Sequence, residues 1–283
     1  MSTILSGKEV ALCLHSELQA RAAALRERGI LPTLATVRVG ADEADASYAR
    51  GIRASCTAVG IALQCHALAA DAPQTALEDL LQELNADPTV SGVLLFRPLP
   101  KHFDEKALCR LLSPRKDVDC MTDASLAGVW LGGDGFLPCT PEACIRVLAH
   151  YGIDCTGKHT VVLGRSAVVG RPLAELLLRG NATVTVCHSK TEDLAALCRT
   201  ADILIAAAGK ARLVTAEFVK SGAVVLDVGI HWNEAEQRMT GDVDFDAVSP
   251  LAGAITPVPG GVGALTPTVL AAHVVAAAER SAV

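Results

Sequence analysis

Apolar residues recur three and four positions apart over residues 8–28. Val10, Leu14, Leu18, Ala22 and Leu25 share one face, and Gly29 follows. That spacing predicts an amphipathic helix closed by a glycine. LPTLATVRVG (31–40) reads as a strand, a helix follows over 45–59, and Gly60 ends it. A strand (61–68), a helix (74–86), the apolar run SGVLLF (91–96) and a helix near 104–112 continue the series, with the prolines of RPLP stopping the third strand. Strands alternating with helices predict a largely parallel sheet.

Residues 113–138 lack such periodicity and are richer in Gly and Asp, so the domain junction is expected there. A helix is expected from CTPEACIRVLAHYG, with Thr140 as its cap and Pro141 in its first position. TVVLG, TVTVC, ILIAAAG and AVVLDVG then read as strands, separated by helices over 168–180, 192–199 and 215–220. The loop TPVPGGVG (256–263) precedes an alanine-rich helix over 266–280, which is expected to pack back on the first domain. The predicted fold class is α/β, with mostly parallel sheets in two domains. The first covers 1–138, completed by the terminal helix 266–283, and the second, 139–265, is Rossmann-like.

Composition agrees with this layout. Hydrophobic residues make up 51% of the chain and aromatics only 3%, so the core must be built from Ala, Val, Leu and Ile. A net charge of −6 without a basic tract argues against nucleic acid as a partner. The N-terminus has no basic segment leading into an apolar run, and no charge-free stretch reads as a membrane span. A soluble, cytoplasmic protein without a membrane partner is expected. The ten cysteines contain no C-x-x-C and no flanking histidine cluster, which predicts reduced thiols and no metal site.

Candidate chemistry begins with VVLGRSAVVGRP. A strand delivers Gly164, Ser166 and then Gly170 at a helix start, with G-x-S-x-x-x-G spacing rather than G-x-G-x-x-G. Glycine lets backbone approach a diphosphate, and a helix N-terminus offers free N–H groups and a positive dipole end. NAD sites place an acid about 20 residues on, at the end of the next strand. Here that strand ends in Cys187-His188-Ser189-Lys190-Thr191. Ser189, Lys190 and Arg165 suit a 2′-phosphate instead, so the cofactor is expected to be NADP. In PRKDVDC, Asp117 and Asp119 flank a valine and point the same way in an extended chain, so one of them is a candidate for substrate. PVPGGVG fixes a loop whose Gly260 and Gly261 can bring backbone close to a ligand.

Taken together, the stretches VGADEADASY, SGVLLFRPLP, KDVDC, CTPEACI, VVLGRSAVVGRP, TVCHSKT, DVGI, GDVDF and TPVPGGVGALT resemble the methylenetetrahydrofolate dehydrogenase/cyclohydrolase family nearly end to end. The resemblance implies an N-terminal catalytic domain, a C-terminal NADP domain, a cleft between them for a tetrahydrofolate derivative, and a homodimer. It implies that Gly164, Arg165, Ser166, Ser189 and Ile230 contact NADP. It also implies that Tyr48 stacks on the pterin ring and that Asp119 hydrogen-bonds the ring nitrogens.

The departures from the family pattern concentrate on the folate side. The family has Tyr, three residues, then a catalytic Lys; in SYARGIRASC that position is Ile52, and a nearby basic position is Ala54. The Gln that holds the lysine falls at Phe96, followed by Arg97 rather than Leu. A Ser upstream of the Tyr is Asp45, the Gly after Asp119 is Cys120, and the Pro-Met after the glycine loop is Ala264-Leu265. Hydride transfer from a methylene between two nitrogens moves no proton, so positioning is most of the work. Hydrolysis of the methenyl cation needs acid–base catalysis, which isoleucine cannot give. The expected activity is therefore NADP-dependent oxidation of 5,10-methylenetetrahydrofolate, with the cyclohydrolase lost or weakened. Ile52 and Phe96 are expected to touch, within about 4.5 Å. A binding paralogue without turnover and a dehydrogenase of the same architecture with a changed substrate are the alternatives.

Overall fold

The computed structural model describes residues 2–40 and 43–282; of residues 43–47 it describes the backbone but not the side chains. The chain forms two compact units. One comprises Leu12–Cys139 with Pro267–Val283, the other Thr140–Thr266 with Met1–Ala11.

In the first unit, a three-stranded parallel sheet runs in the order Ala62–Leu68, Thr33–Val39, Gly92–Leu95. Its central strand is buried because helices cover it, which is why LPTLATVRVG lacks strict alternation. Helix Gln74–Ala86 presents Leu77, Leu81 and Leu84 at three- and four-residue spacing, and these join Ala35, Val37, Val93 and Leu95 in the core. Helix Glu43–Val59 contains Gly51 for a steric reason. A Cβ there would lie 3.1 Å from Cγ of Pro267, so glycine lets the terminal helix approach closely. The stretch without periodicity holds helix Asp123–Leu131. The Thr122 hydroxyl caps it by accepting from the Ser125 N–H at 3.1 Å, and left-handed Gly132 stops it.

The second unit is a six-stranded parallel sheet in the order Thr3–Ile4, Ala254–Ile255, Val224–Asp227, Ile203–Ala206, His159–Leu163, Thr183–Cys187. The first eleven residues were expected with the first domain, but their strand extends this sheet. Thr3 N–H donates to Gly253 O at 2.9 Å and Leu5 N–H to Ile255 O at 2.8 Å. A two-residue strand is too short to leave a periodic signature, and its pairing lies some 250 residues away. A hairpin of His231–Asn233 with Arg238–Thr240 was likewise not anticipated. The helix expected over 215–220 shrinks to a 3-10 turn, Ala216–Phe218. Helix Cys139–His150 starts one residue before Thr140, so Thr140 and Pro141 lie inside its first turn.

Helix Val262–Ser281 begins earlier than expected and carries Pro267 within it. By length and composition it could cross a membrane, contrary to the sequence expectation, but 78% of its apolar window is buried inside the protein. Its apolarity is that of a core helix.

Two acids lock the end of the second sheet. Asp227 accepts from Gly229 N–H (3.0 Å) and Asp242 N–H (2.9 Å) at Oδ1, and from Val243 N–H (2.9 Å) at Oδ2. Asp242 accepts from the N–H groups of Ala208, Gly209 and Lys210 and pairs with His231 Nε2 at 2.7 Å. Burial pushes Asp227 up to about 6, against these hydrogen bonds. Asp227→Asn places an NH2 against at least one backbone N–H whichever way it turns. Urea unfolding is expected to show a loss of roughly 1–3 kcal/mol, and an unchanged midpoint would refute the two-oxygen acceptor role.

Candidate functional site

The sequence-derived site residues fall into two groups, one in each unit. In the first unit, helix Glu43–Val59 carries Tyr48 and, one turn on, Ile52. Phe96 follows strand Gly92–Leu95. The Tyr48 ring meets the Phe96 ring edge-on, with centroids 6.0 Å apart and planes at 71°. Ile52 is 1% exposed and Phe96 8%, so both are part of the apolar interior. Arg50 and Arg53, which flank Gly51-Ile52, are exposed. The Asp45 side chain lies outside the described residues.

Asp117 and Asp119 have different jobs. Asp117 is fully buried and spends both oxygens on backbone, accepting from Met121 N–H at 2.9 Å and Thr122 N–H at 2.8 Å. It is structural, so Asp119 is the acid left for a ligand. Asp119 is partly exposed; desolvation raises its pKa, while a hydrogen bond to Cys139 and the positive charge of Arg97 oppose the rise. Arg97 pairs with Glu105 at 3.7 Å. The Tyr48 phenol is raised well above its usual range, mainly by burial and then by the charge of Asp119, so it stays neutral. Cys120 adopts a left-handed backbone, φ 57°, a conformation that glycine takes without cost.

Two further side chains meet at Val118 O, next to Asp119. His273, on helix Val262–Ser281, is buried and donates from Nδ1 to Val118 O at 2.8 Å, and Cys139 Sγ lies 3.7 Å from the same nitrogen. His273 belongs to no local motif, and Cys139 opens the stretch CTPEACI. Only the fold brings position 273 to position 118.

In the second unit the cofactor candidates lie at the carboxyl ends of the parallel strands. Strand His159–Leu163 pairs with Thr183–Cys187 on one side and Ile203–Ala206 on the other, so the sheet order reverses there. That reversal is where open α/β sheets bind ligands. Gly164 turns the chain at this point with φ 133°; a Cβ on it would sit 2.0 Å from Ala207 O. A Cβ on Gly170 would sit 2.2 Å from Gly164 O, so both glycines are required by close packing of the turn. Ser166 Oγ accepts from Val169 N–H at 3.1 Å and Gly170 N–H at 3.4 Å, presenting the start of helix Gly170–Arg179. Arg165, Ser166, Ser189 and Lys190 are exposed there, and no acid occurs from Cys187 to Thr191. Ile230 is 54% exposed, an apolar surface at the end of strand Val224–Asp227 suited to a flat ring.

The glycine loop is shaped by backbone crowding. Gly260 has φ 107°, and a Cβ on Gly261 would lie 2.5 Å from Pro257 O. Leu265, expected to line the substrate site, is wholly buried because helix Val262–Ser281 starts before it and turns it into the core.

Comparison with known proteins covers both units. Residues 5–119 match the family profile described as tetrahydrofolate dehydrogenase/cyclohydrolase, catalytic domain, and residues 138–282 match that of its NAD(P)-binding domain. A protein of Agathobacter rectalis, the bifunctional protein FolD, is 45% identical over 280 residues, 99% of this chain and 100% of its own length. The structure of the bifunctional methylenetetrahydrofolate dehydrogenase/cyclohydrolase of Campylobacter jejuni superposes with a TM-score of 0.96 at 38% identity, covering 99% of each chain. The Trypanosoma brucei dehydrogenase-cyclohydrolase, solved with NADP cofactor and an inhibitor, superposes with a TM-score of 0.94 at 34% identity over 99% of this chain and 98% of its own.

Proposed function

Because the chain belongs to the tetrahydrofolate dehydrogenase/cyclohydrolase family, we propose that it oxidises 5,10-methylenetetrahydrofolate to the 5,10-methenyl compound with NADP and has lost most of the hydrolysis that follows in bifunctional relatives. The observation that carries this reading is Ile52, fully buried one turn after Tyr48, where the family pattern has its catalytic lysine.

Tyr48 and Asp119 hold the pterin. The neutral Tyr48 ring, braced by the edge of Phe96, offers a stacking face, and the Asp119 carboxylate accepts from ring N–H donors. Ile52 and Phe96 form the apolar wall beneath the pterin and are expected to touch, and in the second unit Gly260 and Gly261 offer loop backbone to a ligand. Gly164, Ser166 and Gly170 cradle the diphosphate of NADP at a helix N-terminus, Arg165, Ser189 and Lys190 read the 2′-phosphate, and Ile230 backs the nicotinamide. NADP supplies the hydride acceptor when bound. These residues bind, orient and exclude water, and none has to move a proton during oxidation. A soluble, cytoplasmic homodimer completes the reading.

The test is an assay that follows NADPH formation and methenyl breakdown separately. Folate binding without turnover would identify a non-catalytic paralogue, and NADP binding without folate binding a changed substrate. Cofactor reading has its own check. Arg165→Ala is expected to weaken NADP by about 10–100-fold and NAD far less, because a charged hydrogen-bond partner of the 2′-phosphate is lost. Equal losses for both cofactors would show that Arg165 does not contact that phosphate.

A further inference from the structure

Asp242 is fully buried, and each of its oxygens takes two donors. Oδ2 accepts from Ala208 N–H at 2.6 Å and Gly209 N–H at 2.9 Å. Oδ1 accepts from Lys210 N–H at 2.9 Å and from His231 Nε2 at 2.7 Å. Three donors therefore come from the turn after strand Ile203–Ala206, and the fourth from the residue that follows Ile230. Both lead to candidate cofactor residues. The turn begins at Ala207, whose N–H donates to Leu163 O at 2.8 Å and whose oxygen lies 2.0 Å from where a Cβ on Gly164 would stand. At the other end Ile230 is bracketed. Gly229 N–H is held by Asp227 Oδ1 at 3.0 Å, His231 is held by Asp242, and a Cβ on Gly263 would lie 2.6 Å from Ile230 Cδ1.

We infer that Asp242 is a positioning residue for the cofactor: one carboxylate fixes the turn behind the diphosphate site and, through His231, the Ile230 surface that meets the nicotinamide. The inference rests on the reading of Gly164 and Ile230 as NADP contacts. The His231 arm is what separates this role from plain structural support. Three backbone donors already satisfy much of the acid, and the His231 side chain, 25% exposed, can find water instead. What its bond to Asp242 sets is the direction of the chain. Successive side chains of an extended segment face opposite ways. With His231 turned in to Asp242, its neighbours Ile230 and Trp232 are turned out, and they are 54% and 55% exposed. Gly229 is constrained by the same acid. A Cβ there would lie 2.4 Å from Asp242 Oδ1, so glycine lets the chain pass the carboxylate just before Ile230.

The experiment compares the binding of NADPH with that of 2′-phospho-ADP-ribose, which keeps the 2′-phosphate and the diphosphate but lacks the nicotinamide. The fluorescence of bound NADPH reports how firmly the reduced ring is held. His231→Ala removes one arm and leaves Asp242 its three backbone donors. It is expected to weaken NADPH by about 3–10-fold, the worth of one hydrogen bond, and to lower the fluorescence of the bound ring, with 2′-phospho-ADP-ribose unaffected. His231→Gln keeps a side-chain N–H donor and should recover most of the loss. Asp242→Asn sets an NH2 against two of the four donors and, where it folds, should weaken both ligands by about 10–100-fold, because hydrogen bonds to a charged group are lost. The His231 variants decide the matter by themselves. No loss in His231→Ala, an equal loss for the two ligands, or no recovery in His231→Gln overturns the inference while NADP binding by the parent protein stands. A parent protein that binds neither ligand overturns the inference together with the cofactor reading.

Discussion

Given 5,10-methylenetetrahydrofolate and NADP, the protein is expected to form NADPH while the methenyl product accumulates, its hydrolysis slowed by about 10²–10⁴-fold relative to a bifunctional relative, the usual worth of general acid–base catalysis. The two steps make different demands. Oxidation needs alignment, the role proposed for Tyr48 and Asp119 on the pterin and for the Gly164 turn on NADP. Hydrolysis needs a group that takes a proton from water and later returns one to nitrogen. Ile52 has none. Tyr48 is held neutral far above its usual range. Arg50 and Arg53 are exposed, and arginine does not deprotonate in proteins. Separate traces of NADPH and of the methenyl chromophore decide the matter. Rapid loss of the chromophore at the rate of a bifunctional relative would refute the proposal and mean that another base serves.

Ile52→Lys is expected to destabilise the fold by about 3–5 kcal/mol without restoring hydrolysis, because it buries an ammonium at a site that is 1% exposed, where the proposed partner position, Phe96, has no hydrogen-bond acceptor to orient it. Polar partners in a protein interior stand or fall together: removing one leaves the other unsatisfied, while replacing both by apolar groups is close to neutral. Ile52 and Phe96 have that joint apolar character. The double change Ile52→Lys with Phe96→Gln should recover part of the stability, less the edge contact of Phe96 with Tyr48, roughly 0.5–1.5 kcal/mol, and regain some hydrolysis. Urea unfolding and the chromophore assay on the two variants provide the test. A single Ile52→Lys variant that is as stable as the parent and hydrolyses the methenyl compound would rule out a coupled loss.

Much of the second unit could be read locally. The Gly164 turn, the helix behind it and the missing acid after Cys187 are features of consecutive residues, because a phosphate site made from one strand, one turn and one helix is encoded by neighbours. The first-unit group was less legible. Asp117 and Asp119 look equivalent in PRKDVDC; only the backbone donors of Met121 and Thr122 show that Asp117 is consumed by the fold.

The sequence by itself determined the alternation of strands and helices, the two α/β units, the nucleotide-type turn and the presence of an isoleucine at position 52. Each of these is a matter of period, turn chemistry or a single side chain, properties that survive in one dimension. Tertiary structure alone decided that Thr3–Ile4 completes the six-stranded sheet, that Gly51 exists to admit Pro267, and that His273 and Cys139 attend the residues around Asp119. These are contacts between segments distant in the chain. A two-residue strand, a lone glycine and a lone histidine carry no pattern of their own, and what they do is fixed by the neighbours that long-range packing gives them.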